Sequence, residues 1–224
     1  MIKIKSLNQS EALRYLGYND SLPDSRIQAL IDSCEKKLLE TARPKYIYRL
    51  FDISEMNDGI HLEGSTLVLS GNDISEHLQG CKKAVLMCAT LSSDVDMLIR
   101  NAQINDMTEA VILDSLASVF IEQVCDEAER EIYSKLPDSF FTWRYSAGYG
   151  DFPIDIQSEF VEVLDAPKRI GLCVTDTDML TPKKSVTAVI GVSQKPLAPR
   201  RKGCQICSMR EKCQFRKKGG HCGF

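Results

Sequence analysis

The stretch from residue 144 to residue 153 combines residue types that suit a small-molecule ligand. It reads Arg144-Tyr145-Ser146-Ala147-Gly148-Tyr149-Gly150-Asp151-Phe152-Pro153. An arginine fork can hold a carboxylate by two parallel hydrogen bonds. Glycines let the backbone approach a ligand closely, and the ring of Tyr149 can stack on a heterocycle or face a cation. An amino acid that carries a base and a positive centre would use all three properties. A plain turn with a solvated Arg144 is the alternative.

A second group of reactive residues stands at the end of the chain, where four of the nine cysteines lie close together. Cys204, Cys207, Cys213 and Cys222 predict a four-thiolate metal site, because a short basic segment has no apolar core and a metal would supply the ordering energy. An iron–sulfur cluster tolerates the uneven spacing, and zinc is usual for four-cysteine sites. A tail without metal is the third reading. His221 could replace one cysteine as a ligand.

The composition narrows the class of protein. The formal net charge of -3 disfavours a general nucleic-acid partner and a membrane surface, because neither polyanion would be attracted overall. The start of the chain has no apolar run of signal-peptide length, and no later run reaches the roughly 20 residues that span a bilayer. We therefore expect a cytoplasmic protein, whose cysteines serve metal binding or burial rather than disulfides.

Several helices and strands must position these groups. Apolar spacing predicts a helix over 24–43 that is capped by Asp24, and a long helix over 107–135 with Val111 on its inner face. Asp73 is expected to cap a short helix that carries His77. The strands are expected at 45–53, 84–89, 170–174 and 185–193. Because strands and helices do not alternate regularly, the order favours an α+β fold with a mixed or antiparallel twisted sheet and long helices, not a Rossmann fold.

The Arg-x-x-x-Gly-Tyr string formed by Arg144, Gly148 and Tyr149 resembles the S-adenosylmethionine-binding signature of one family, the activation domain of cobalamin-dependent methionine synthase. Its flanks are similar to that family too. Upstream are Asp114-Ser115-Leu116-Ala117-Ser118 and Glu122; downstream is Met179-Leu180-Thr181-Pro182-Lys183-Lys184-Ser185-Val186-Thr187, which resembles the family's Pro-x-x-Ser-Val segment. The resemblance extends from about Asp73 to Ser193.

The resemblance implies a role for each signature residue. Arg144 would bind the ligand carboxylate, the Ser146 backbone would contact the adenine, and Gly148 and Tyr149 would shape the pocket. The loop before Arg144 is shorter than in the large enzymes, so the acidic partner of the ligand's amino group is open; Asp138 is one candidate. The family's later tyrosine in the final strand has no clear counterpart here.

The resemblance also implies a function and an organisation. It implies an activation-domain-like region at 1–193. The residues themselves predict a linker at 194–203 and a metal-binding tail at 204–224, which has no counterpart in the family's domain. The chain lacks an Asp-x-His-x-x-Gly pattern, so cobalamin would be carried by a partner protein. The chain would then present S-adenosylmethionine to a methionine synthase in trans, as part of a methyltransferase system, with an electron from a donor such as a flavodoxin or ferredoxin. An electron carrier or regulatory module that binds iron–sulfur or zinc, and an activator of another corrinoid methyltransferase, are the alternatives.

Overall fold

The computed structural model describes residues 2, 4–18, 21–197 and 211. The predicted metal ligands Cys204, Cys207, Cys213 and Cys222 therefore lie outside the described residues, as does most of the predicted linker. The helices and strands, in chain order, are α1 (Gln9–Tyr15), α2 (Ser25–Thr41), β1 (Lys45–Met56), β2 (Gly59–Leu62), β3 (Val68–Leu69), α3 (Asn72–Leu78), β4 (Lys83–Thr90), α4 (Ser93–Asn105), α5 (Met107–Lys135), β5 (Phe140–Phe141), α6 (Gln157–Val163), α7 (Ala166–Ile170), β6 (Cys173–Val174), β7 (Leu180–Thr181) and β8 (Ser185–Ser193).

Each of the two long helices begins at a capping aspartate, Asp24 as the sequence predicts and Asp106 in addition. The Asp24 carboxylate accepts the Ile27 N–H at 2.8 Å at the start of α2. The Asp106 carboxylate does the same for Thr108 at the start of α5. The predicted bounds of α5 are confirmed, but the placement of Val111 on its inner face is wrong, because that side chain is half exposed. The buried face of α5 is formed by other residues, among them Leu113, Leu116, Ala117, Phe120 and Val124.

Six strands form the main sheet in the order β3-β2-β1-β4-β8-β5. β1 and β2 form an antiparallel hairpin in which Met56 pairs with Gly59, as the turn residues between them predict. The Arg43 N–H donates to the Leu91 carbonyl and the Ile53 N–H donates to the Lys82 carbonyl. Because the residue number rises along one segment as it falls along the other, β1 and β4 are antiparallel. The α+β prediction is thus confirmed, and the sheet is not the parallel sheet of a Rossmann fold.

One smaller expectation needs correction. The strand expected over 170–174 is only Cys173–Val174, and Ile170 instead ends helix α7, which Gly171 closes in the left-handed conformation. β6 pairs with β7 in a separate two-stranded sheet.

Among the described helices, none combines the length and the apolar character that crossing a bilayer requires.

The chain divides into two compact units. The first contains Met1–Arg49, Leu86–Pro137 and Gln157–Ala188; in it α5 packs against α1, α2 and α4. The second contains Leu50–Val85, Asp138–Ile156 and Val189–Phe224. Strands β1, β4 and β8 contribute residues to both units. The whole Arg144–Pro153 stretch belongs to the second unit, together with α3 and β5.

Candidate functional site

The candidate ligand segment begins as an irregular edge of the main sheet. Phe140 pairs with Ser193 and Phe141 with Val192, and the Thr142 N–H donates to the Gly191 carbonyl at 3.0 Å. The next backbone pairing joins Tyr145 to Val189, one residue out of register. Two residues, Trp143 and Arg144, therefore lie opposite the single residue Ile190, which is a β-bulge. A bulge breaks the strict alternation of side chains and is common beside functional sites.

After the bulge the chain turns sharply, and short-range hydrogen bonds close the turn. The Gly148 N–H donates to the Phe152 carbonyl at 2.8 Å, and the Phe152 N–H donates to the Tyr149 carbonyl at 3.0 Å. Gly148 and Gly150 have φ angles of +88° and +56°, which other L-residues adopt only at a cost. The Phe152 side chain is buried and ends the turn. Residues 148–150 are thereby left exposed on the surface.

A group of aromatic rings packs against the start of the turn. His77 of α3 is buried and stacks on Tyr145, with ring centroids 4.8 Å apart and planes 29° apart. The Trp143 ring lies edge-on to the His77 ring, also with 4.8 Å between the ring centroids. The His77 Nε2 atom is hydrogen bonded to the Thr142 hydroxyl at 2.7 Å. His77 thus belongs to the residues that support the site.

The start of α3 is tied to the same turn by two carboxylates. The Asp151 carboxylate accepts the backbone N–H groups of Asn72 at 2.8 Å and of Asp73 at 2.9 Å. In return the Asp73 carboxylate accepts the Asp151 N–H at 3.0 Å. The expectation that Asp73 caps α3 is therefore wrong: the N-cap residue is Gly71, and the capping carboxylate comes from Asp151. Asp73 and His77 are four residues apart and lie on one face of α3, but this local spacing does not reveal that the Asp73 carboxylate binds the Asp151 N–H.

These contacts explain why two positions, Gly71 and Gly150, are occupied by glycine, and no ligand is needed for the explanation. A Cβ atom on Gly150 would lie 1.9 Å from Asp73 Oδ2 and 2.9 Å from the Tyr145 hydroxyl. A Cβ on Gly71 would lie 2.8 Å from Asp151 Oδ1. Gly148 differs, because its nearest neighbour would be Ile154 at an ordinary 3.5 Å. Gly150 is thus required by internal packing, whereas Gly148 is required by its φ angle alone.

The electrostatic environment of the turn is negative. Burial, together with the negative charges of Asp73, Asp151 and Glu76, raises the pKa of Tyr145 to about 12. The Tyr145 hydroxyl therefore stays protonated at neutral pH, where it donates to the Tyr149 carbonyl at 3.3 Å. Hydrogen bonds from the backbone amides of α3, that of Asp73 above all, lower the pKa of Asp151. The resulting negative potential favours a cationic group near the turn.

The four predicted ligand-binding residues lie along this one turn of the second unit. Arg144 and Ser146 are partly buried, Gly148 is exposed, and the Tyr149 side chain is 54% exposed. Tyr149 still contacts Tyr145, at 6.2 Å between ring centroids. Asp138, the candidate acidic partner, is exposed on the turn that precedes β5. The carboxylates that raise the pKa of Tyr145 are instead those of Asp73 and Glu76 in α3 and that of Asp151.

The two flanking segments that carried the family resemblance meet inside the first unit. The Lys184 ammonium group is mostly buried and lies 2.8 Å from an Asp114 carboxylate oxygen. It also donates to the Asp114 carbonyl at 3.0 Å and to the Ser118 hydroxyl at 2.9 Å. The Pro-x-x-Ser-Val-like segment is therefore anchored to α5 by one lysine, which explains why a cation occupies this position.

A groove of about 730 Å³ also lies in the first unit, between β1, α5 and α7. Its walls include Tyr46, Glu127 and Glu131. Glu131 is already bound by Lys135 and by the hydroxyls of Tyr46 and Tyr48, and these hydrogen bonds lower its pKa to about 2. Glu127 pairs with Arg130. Because these carboxylates have partners within the protein, the groove has a structural explanation and the turn at 144–153 is the stronger candidate site.

Metal binding has no candidate within the described part of the chain, where no three His, Cys, Asp or Glu side chains lie close enough together to hold an ion. None of the cysteines described there forms a disulfide: Cys34, Cys88 and Cys125 are buried, Cys81 is partly buried and Cys173 is exposed. The predicted tail site is not touched by this observation, because its cysteines lie outside the described residues.

Comparison with known proteins gives a match in structure but not in sequence. No protein-family model and no curated protein sequence matches the chain. A solved structure described as the MetH reactivation domain bound to AdoHcy matches 94% of this chain and 81% of its own chain, with a TM-score of 0.59 and 15% sequence identity. At that identity the likeness establishes the architecture. The chain has the fold of the MetH reactivation domain.

Proposed function

We propose that this protein reactivates a cobalamin-dependent methionine synthase in trans, by binding S-adenosylmethionine at the turn that follows the β-bulge. The observation that carries the proposal is the coincidence of two independent features. The Arg-x-x-x-Gly-Tyr string occupies a supported, surface-exposed turn, and the chain has the fold of a domain solved with AdoHcy. AdoHcy is the product that S-adenosylmethionine becomes when it has lost its methyl group.

The turn offers a complementary group for each part of this ligand. The guanidinium of Arg144 suits the carboxylate, and the exposed ring of Tyr149 suits the adenine or the sulfonium. The Ser146 backbone would contact the adenine, and Gly148 presents no side chain to the ligand. The negative potential from Asp73, Glu76 and Asp151 suits the positive sulfonium and ammonium groups.

The chemistry of the reaction resides in the ligand and in the partner's cofactor. When bound, S-adenosylmethionine supplies a methyl group that reduced cobalamin, carried by the partner, accepts. The residues of this chain would contribute binding, orientation and charge: Arg144 would bind the amino-acid end, and Gly148 and Tyr149 would shape the pocket. Such positioning is the usual contribution of a protein to a cofactor-driven reaction.

The metal site at Cys204, Cys207, Cys213 and Cys222 is a second part of the proposal. An iron–sulfur cluster there would relay an electron to the partner's cobalamin from a flavodoxin or ferredoxin, and a zinc ion would only order the tail. Anaerobic purification distinguishes the two. A brown protein that contains iron and sulfide supports the relay, whereas a colourless protein with stoichiometric zinc contradicts it.

Reconstitution tests the function as a whole. A methionine synthase that lacks its own activation domain is stalled with oxidised cobalamin and supplied with a reductant and S-adenosylmethionine, with and without this protein. Recovery of turnover only with the native protein, and not with Arg144→Ala, supports the proposal. The matched control is Arg100→Ala, which removes an exposed arginine on α4. Recovery without this protein, or equal recovery with Arg144→Ala, contradicts it. Recovery of a different corrinoid methyltransferase would favour the alternative partner.

A further inference from the structure

The turn that carries the proposed ligand residues is fastened at one point to a segment far away in sequence. The Asp151 carboxylate binds two backbone N–H groups at the start of α3, those of Asn72 and Asp73. The Asn72 side-chain amide donates to the same carboxylate at 3.1 Å. Amide groups in the first turn of a helix have no partner within the helix, so this carboxylate satisfies donors that nothing else in α3 satisfies.

The fastening is reciprocal. The Asp73 carboxylate accepts the Asp151 N–H at 3.0 Å, so each aspartate binds the backbone of the other. The two chain segments approach so closely that both flanking glycines are needed: a Cβ on Gly150 would collide with the Asp73 carboxylate, and a Cβ on Gly71 would collide with Asp151. We call this pair of aspartates, with their backbone hydrogen bonds, the aspartate latch.

Besides the latch, backbone hydrogen bonds within the turn hold its exposed part: the Gly148 N–H donates to the Phe152 carbonyl at 2.8 Å, and the Phe152 N–H donates to the Tyr149 carbonyl at 3.0 Å. Side-chain packing contributes less. Gly148, Tyr149 and Gly150 are exposed, and two of the three have no side chain with which to pack. The buried Phe152 fixes the C-terminal end of the turn, and the Tyr145 hydroxyl binds the Tyr149 carbonyl at a long 3.3 Å. The shape of residues 148–151 therefore depends more on the latch than on side-chain packing.

We propose that Asp73 and Asp151 are positioning residues, which hold the turn in its ligand-binding shape before the ligand arrives. The proposal rests on the function proposed above, because the ligand is the one named there. Neither carboxylate needs to touch the ligand: each acts through the backbone on the position of Gly148 and Tyr149. A binding site that is already ordered loses less conformational freedom when it binds, and its apparent affinity rises accordingly.

The experiment compares removal of the latch with its conservative repair. Asp73→Ala removes the acceptor for the Asp151 N–H, whereas Asp73→Asn retains a side-chain oxygen that can accept it. Asp151→Asn is a milder variant, which keeps one acceptor and places an amide donor against the N–H groups of α3. Asp52→Ala is the matched control in the same unit, since it removes an aspartate whose exposed partner is Lys83. Each full-length variant is measured without ligand by amide hydrogen exchange and with AdoHcy by calorimetry.

We expect Asp73→Ala to speed exchange at the Asp151 amide, and to raise the dissociation constant for AdoHcy by about tenfold, because the binding-competent turn would be populated in roughly a tenth of the molecules. Asp73→Asn should restore both quantities to within about threefold of native. Asp52→Ala should change neither.

Each other outcome points to a specific failure. Native exchange in Asp73→Ala and in Asp151→Asn would show that the latch does not order the turn. Faster exchange with unchanged affinity would show that the latch is structural only. Absence of AdoHcy binding by the native protein would contradict the proposed function, and the exchange measurement would still decide whether the latch orders the turn.

Discussion

The contact between Gly150 and the Asp73 carboxylate allows one substitution to be evaluated in detail. In Gly150→Ala the new Cβ would lie 1.9 Å from Asp73 Oδ2, at a backbone φ of +56°. An L-residue in that left-handed region costs about 1–2 kcal/mol. Relief of the clash requires the carboxylate to move away from the Asp151 N–H, and a hydrogen bond to a charged group contributes about 1.5–3 kcal/mol. We therefore expect a loss of roughly 3 kcal/mol in the free energy of unfolding.

Gly64→Ala is the matched control for the backbone cost. Gly64 has a similar φ of +75° and lies in the same unit, but a Cβ there would meet no atom within 4 Å. We expect it to lose only about 1–2 kcal/mol. Urea unfolding can be followed by the fluorescence of Trp143, the single tryptophan of the chain, which lies beside the turn and against His77. Equal losses for Gly150→Ala and Gly64→Ala would refute the claim that the Asp73 carboxylate occupies this space.

Three further predictions concern pH, the exposed ring and the ligand charge. The pKa of Asp151 is lower in the folded protein than in the unfolded chain, so its stabilising effect is complete above the ordinary aspartate pKa and is lost as the pH falls through the folded value; the protection of the Asn72 and Asp73 amides, measured relative to the unfolded chain at each pH, should fall over that acid range, and constant protection would argue against the assigned hydrogen bonds. Tyr149→Ala should weaken AdoHcy binding about tenfold yet change unfolding by less than about 0.5 kcal/mol, because the ring is 54% exposed; unfolding and calorimetry measure the two, and a large stability loss would show that the ring serves packing. S-adenosylmethionine should bind several-fold more tightly than AdoHcy at low salt, because of the negative charges of Asp73, Glu76 and Asp151, and the difference should shrink toward 1 M salt; a salt-independent ratio would contradict this reasoning.

The sequence predicted the regular elements well where a local signal is strong. Asp24 and the apolar spacing after it predicted α2, and apolar spacing alone predicted α5, because capping and helical periodicity are properties of neighbouring residues. The continuous apolar run Ala84–Ala89 likewise specified the buried strand β4. Val111 was misplaced because apolar character alone does not reveal which face of a helix is covered.

The site was predicted only in part, for the same reason. The string at Arg144–Tyr149 is contiguous, so its residue types could be judged together. The β-bulge at Trp143 and Arg144 depends on the register against β8, and the capping of α3 by Asp151 joins residues 78 apart in sequence. Pairings over such distances have no local signal. Asp73 resembled a cap by position, and only the fold showed that its carboxylate binds another segment.

The most direct test of the account is equilibrium binding of S-adenosylmethionine to the purified protein, followed by calorimetry and by the fluorescence of Trp143. The account predicts one site per chain in the native protein and a loss of at least about tenfold in affinity in Arg144→Ala, because a bidentate contact to the ligand carboxylate would be gone. Arg100→Ala should bind as the native protein does. Absence of binding by the native protein, or equal affinity in Arg144→Ala, would contradict the assignment of this turn as the ligand site.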